Sequence, residues 1–131
     1  MKKSEKIFSL AKNYDNISEI LKDHNLASLG DTYVNFVYAL ALSRRKGKPS
    51  GTKVKGSTLA EAIKKAGLRE FLPSRMSRHV MADAAESLIV YGWLNNYITL
   101  EESVATLEKT NDVVDGFCQL LKKVKDRIIF P

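Results

Sequence analysis

Between Leu26 and Ser43 the chain sets Tyr33, Val34, Phe36, Val37, Leu40 and Ala41 at spacings that put apolar side chains on most sides of a helix. Such a helix needs other elements wrapped around it, and this one reads as the buried central helix of the fold. A second long run, from about Arg75 to Asn95, aligns Val80, Ala84, Leu88, Tyr91 and Leu94 on one face. Only seven glycines and three prolines interrupt the 131 residues, which leaves little room for the closely spaced turns of an all-β fold.

The remaining punctuation divides the chain into short helices. Ile7, Leu10 and Ala11 have helical spacing, and Asp15-Asn16 is a good N-cap pair ahead of Ile17, Ile20 and Leu21. Thr58 with Glu61 makes a capping box for a short helix that Gly67 closes, and Pro73-Ser74 announces the long helix after it. Thr99 with Glu102 makes another box, and Asn111 caps a final helix bearing Val113, Phe117, Leu120, Leu121 and Val124. With no repeat, low-complexity tract or linker, the expectation is one all-α domain over residues 1–131, with six or seven helices.

The formal charge of +6 favours a polyanionic partner such as nucleic acid or an anionic membrane surface. Cys118 is the single cysteine, so no intramolecular disulfide forms; it sits beside Phe117 on an apolar face and reads as core. The apolar stretch after the charged N-terminus stops at Lys12, too soon for a signal peptide. Val34 to Leu42 is about half the ~20 residues needed to cross a bilayer. A cytoplasmic protein without a membrane span is the expectation.

Three carboxylates stand out against this background. Asp31 lies near the start of the first apolar helix, and Asp83 and Glu86 share a face of the second at i and i+3. An ionised carboxylate near a core is costly unless a cation or a metal compensates it. Oxygen-only ligands from two helices suit a hard ion such as Mg²⁺. Two structural alternatives stand beside a metal site: Asp31 as a first-turn acid favoured by the helix dipole, and Glu86 paired with Arg78, Lys64 or Lys65.

The segments around these acids resemble a known family. Leu26-Ala27-Ser28-Leu29-Gly30-Asp31, followed by Val34-Asn35-Phe36, is similar to the ribonuclease III signature, in which Leu-Gly-Asp opens a buried helix. Ala82-Asp83-Ala84-Ala85-Glu86-Ser87-Leu88-Ile89, ending in Trp93-Leu94, resembles the second motif of that family. Val54, Leu59-Ala60 and Gly67-Leu68 look like the segment between the two. The resemblance covers about Leu26 to Leu94 in the right order.

It implies an all-α ribonuclease III endonuclease-domain fold, with Asp31, Asp83 and Glu86 as ligands of Mg²⁺, or Mn²⁺ in its place, and Asp31 and Glu86 as catalytic residues. It further implies hydrolysis of double-stranded or structured RNA to 5′-phosphate and 3′-hydroxyl ends. A homodimer would pair across the Leu-Gly-Asp helix and set two sites along one basic valley.

The chain departs from the longer family pattern at His24 and Ala27, where glutamates are usual, and the second of these is normally a fourth metal ligand. The short "mini" class of ribonuclease III shares the Leu-Ala-x-x-Gly-Asp form. No double-stranded RNA-binding domain follows here, so RNA affinity is expected from this domain or from a partner. The alternative is a catalytically weak or inactive module that binds structured RNA or a protein.

Arg44 to Gly56 holds six positive charges, three glycines and a proline, and reads as a basic loop. Arg44, Arg45, Lys46, Lys48, Lys53 and Lys55 are its candidates for gripping RNA phosphates, since duplex RNA is recognised through backbone and shape. A solvated, solubilising loop is the other reading. His79, four residues before Asp83, and His24, seven before Asp31, raise the alternative of a transition-metal site built with the three carboxylates. Trp93, Tyr91 and Tyr97 read as core, and the apolar tail Ile128-Ile129-Phe130 as packed inside the protomer or against a second one.

Overall fold

The computed structural model describes Leu10 and residues 13–130; the expected helical turn at Ile7 and Ala11 lies outside those residues. Six α-helices follow in order: α1 (Ile17–Leu21), α2 (His24–Lys46), α3 (Gly56–Lys65), α4 (Arg78–Leu94), α5 (Leu100–Glu108) and α6 (Val113–Arg127). A single 3-10 turn, Arg69–Phe71, links α3 to α4, and there is no strand among the described residues.

The centre of the fold is α4, not α2 as the sequence pattern suggests. α4 packs against α1, α2, α3 and α6, and Ala84, Ala85, Leu88, Ile89 and Val90 are fully enclosed. Its Ala, Ser and Gly positions allow this, because small side chains let helices approach on several sides. At Gly92 an added Cβ would stand 2.7 Å from Val124 Cγ2 of α6. α2 covers one side of α4, and its own apolar surplus faces outward: Phe36 is 52% and Leu29 39% exposed. α5 bridges α2 and α6.

Several helix starts differ from their sequence signals, each for a local reason. α3 begins at Gly56 with Lys55 as N-cap and no side-chain cap bond, so the Thr58–Glu61 box does not form. Ser77, accepting from Val80 N, caps α4. The earlier start at Arg75 is blocked because Arg69 donates to the Pro73 and Ser74 carbonyls at 2.7 and 2.6 Å, which fixes them in a turn. Asp112 rather than Asn111 caps α6, accepting from Val114 N.

Other signals act as read. Asn16 caps α1, Thr99 caps α5, and Gly67 takes a left-handed φ of +78° just past α3. The Thr99 box is only half made, since the Glu102 carboxylate turns away to a two-bonded contact with Arg127 at 2.7 Å each. That contact holds Glu102 below the usual carboxylate range and ties α6 to α5. Cys118 is buried, Tyr91 packs edge-on against Tyr14, and Trp93 stacks on Tyr33 with ring centres 5.2 Å apart. In the tail, Ile128 and Phe130 rest on the core while Ile129 is 81% exposed.

The tightest contact lies between α2 and α4. A Cβ on Gly30 would fall 2.2 Å from the carbonyl oxygen of Glu86, a backbone clash that no rotamer change can relieve. Gly30→Ala should therefore lose at least about 1–3 kcal/mol of stability, whereas Gly51→Ala, with nothing within 4 Å, should be close to neutral. Chemical denaturation of both variants checks this; equal stability would mean that the helices are not held at this distance.

Candidate functional site

The α2–α4 contact brings the three carboxylates together. Asp31 follows Gly30 on α2, and Glu86 supplies the backbone that Gly30 touches. Because α2 starts at His24 with Asp23 as its N-cap, Asp31 sits beyond the first turn and is not the acid that serves the helix dipole. Asp23 fills that role, accepting from Asn25 N and Leu26 N and from the Tyr14 hydroxyl.

Glu86 is 7% exposed. Burial first, then its hydrogen bond to Asp31 and the charges of Asp31 and Asp83, push its carboxyl from an ordinary 4.5 up to about 8. No positive side chain offsets these causes. Lys65 pairs with Asp115 at 3.2 Å, and Lys64 and Arg78 are exposed without an ion pair among the described residues. The cation-paired alternative for Glu86 is therefore not what the fold builds.

His79 stands 3.9 Å from Asp83 and is 85% exposed at its side chain. His24 is exposed at the start of α2. Ala27, one turn before Asp31, is buried.

Among the described residues no group of three or more His, Cys, Asp or Glu side chains forms a ready-made metal cage. What fits a hard cation is the donor chemistry: oxygen ligands, one of them buried, sharing negative charge with no compensating partner. Such a cluster takes up either a proton or a cation.

The basic stretch divides into two parts. Arg44, Arg45 and Lys46 belong to the last turn of α2, which ends at Gly47 with φ +75°. Arg44 pairs with Glu108 at 2.5 Å, and Arg45 donates to the carbonyls of Leu107, Glu108 and Thr110, so both arginines bind the end of α5. Basic residues suit a helix C-terminus, which is why the charge run continues the helix. Lys46, Lys48, Lys53 and Lys55 are exposed with no ion pair among the described residues.

The loop itself is pinned twice to α2. Ser43 Oγ donates to Ser50 O and accepts from Ser50 N, and Asn35 Oδ1 accepts from Val54 N at 2.8 Å. Asn35 also donates to Asp31, at 2.8 Å to its carbonyl and 3.2 Å to its carboxylate. Sequence reasoning named Gly30 and Asn35 only as parts of the family signature and gave neither a role of its own. The available signals were an amide one turn after an acid and a glycine inside an apolar helix.

A family model described as ribonuclease III matches residues 24–128, from the first residue of α2 to the C-cap of α6. No curated protein matches the chain.

The raised Glu86 carboxyl has a definite consequence for stability. Between about 4.5 and about 8 the unfolded chain has released a proton that the folded chain keeps, so stability falls as pH rises through that window and levels off above it. Without divalent ions, wild-type stability should drop between about pH 5 and pH 8.5 by up to a few kcal/mol relative to Glu86→Gln. Parallel stability curves for the two proteins would show that Glu86 carries no such burden.

Proposed function

The chain belongs to the ribonuclease III family, and we propose from that premise that it is a metal-dependent endoribonuclease acting on double-stranded or structured RNA. The observation that carries the reading is the buried Glu86 carboxyl, held against Asp31 and Asp83 with no cationic partner. Asp31, Asp83 and Glu86 are the side chains that would hold Mg²⁺ or Mn²⁺. When bound, the ion would activate water for attack and offset charge on the phosphate being cleaved.

The protein's own part is to place and exclude. Glu86, enclosed by α2 and α4, keeps one donor out of bulk water, and Asp31 and Asp83 present theirs at the rim. Within the basic stretch, Lys46, Lys48, Lys53 and Lys55 have no ion pair among the described residues and would bind duplex phosphates. Arg44 and Arg45 are engaged with the end of α5, which ties the last turn of α2 to that helix. Products carry 5′-phosphate and 3′-hydroxyl ends.

The reading includes a homodimer. Leu29 and Phe36 of α2 form, with Val90, Trp93 and Leu100, an apolar hollow on the surface. Exposed apolar area of this kind favours a protein partner. A second copy seated there would use the helix that carries Asp31 and give each strand of a duplex its own site. No helix among the described residues is long and apolar enough to cross a membrane.

A second reading, a catalytically inactive module that binds structured RNA or a protein, is favoured by buried Ala27 in place of a fourth carboxylate and by the lack of a ready-made cage. The deciding experiment incubates the protein with end-labelled duplex RNA, with and without Mg²⁺ or Mn²⁺. Glu86→Gln should lower cleavage by at least about a hundredfold while leaving duplex binding unchanged. Binding without cleavage in either metal would establish the inactive module. Phe36→Glu should convert a dimer to a monomer by analytical ultracentrifugation; a wild-type protein that is monomeric at micromolar concentration would remove the dimer from the scheme.

A further inference from the structure

The side chain of Asn35 sits at the junction of the two features invoked above, the carboxylate cluster and the lysine-bearing loop. Its amide can satisfy its neighbours in one orientation only. Oδ1 must face the Val54 N–H, and Nδ2 must face the Asp31 carbonyl and carboxylate, because neither pair can exchange donor for acceptor. The half-buried amide therefore fixes the carboxylate of Asp31 from one side and the backbone of Val54 from the other.

Val54 lies between Lys53 and Lys55, both exposed and without an ion pair among the described residues. The Ser43–Ser50 contact holds the near end of the same loop two turns further along α2. We propose that Asn35 is a positioning residue that aims Asp31 and suspends Lys53 and Lys55 from the same helical turn, so that cation and RNA phosphate are held in one register.

The inference rests on the reading of Asp31 as a metal ligand. A partner that orients a ligating carboxylate commonly affects metal affinity by about 10–100-fold when removed. If Asn35 only tethers the loop, its loss would free Val54 and leave the ion untouched.

Two measurements on the full chain separate these cases: Mn²⁺ titration followed by electron paramagnetic resonance, and exchange of the Val54 amide by nuclear magnetic resonance. Asn35→Ala should weaken Mn²⁺ binding by about tenfold and speed Val54 exchange. Val54→Pro, which deletes the donated N–H while keeping Asn35, should hold Mn²⁺ affinity within about twofold and weaken binding of a short RNA duplex. Unchanged Mn²⁺ affinity in Asn35→Ala, with the wild type binding normally, overturns the positioning role alone. A wild-type chain that binds no Mn²⁺ overturns the metal reading itself, and this inference with it.

Discussion

The contact between Gly30 and the backbone of Glu86 governs how the rest of this molecule is arranged. It sets the separation of α2 and α4, and so sets where Asp31 stands relative to a buried carboxyl. A glycine inside a helix costs about 0.5–1 kcal/mol relative to alanine. That cost is outweighed by what the missing Cβ permits, a backbone-to-backbone approach along the largest helix pair of the fold. The tight packing and the chemical cluster are one structural event.

That arrangement concentrates destabilising chemistry where two helices approach most closely. Glu86 is enclosed between helices, yet the surrounding elements are tied by well-satisfied polar contacts. Ser87 donates to the Asp23 carbonyl, Ser103 joins Tyr33 to the Thr99 carbonyl, and Arg127 grips Glu102. No buried side-chain nitrogen or oxygen among the described residues lacks a partner. A scaffold with its other polar groups paired can hold one carboxyl in an unfavourable setting without rearranging to relieve it.

Much of this was legible in the sequence. The two apolar helices, the three acids and the caps at Asn16 and Thr99 follow from periodicity and local hydrogen-bonding chemistry. Much of what escaped depended on contacts distant along the chain. Apolarity alone marked α2 as central, but α4 has the small residues that let four helices approach it. The Arg44–Lys46 run reads as loop because charge and glycine follow it. Its helical state needs Glu108 and the α5 carbonyls, more than sixty residues away. Arg69 delays α4 through a local contact instead, holding the Pro73 and Ser74 carbonyls four and five residues on, which residue type alone does not announce. At the site, acid spacing revealed Asp83 and Glu86 as neighbours, but not the depth of Glu86 or the two-sided role of the Asn35 amide.

The double pinning of the basic loop divides it into parts with different tolerance for change. Gly47 to Ser50 is closed against Ser43, and Val54 is fastened at Asn35, so Gly51-Thr52-Lys53 is the only stretch between anchors. Loop closure entropy rises slowly with length, so residues inserted between those anchors would lengthen the reach of the cationic arm at small energetic cost. Asp83 and Glu86, carried by α4, lie outside that segment. A loop fastened at both ends to one helix thus confines tolerance for added length to a single short segment, while its anchors on α2 stay in place.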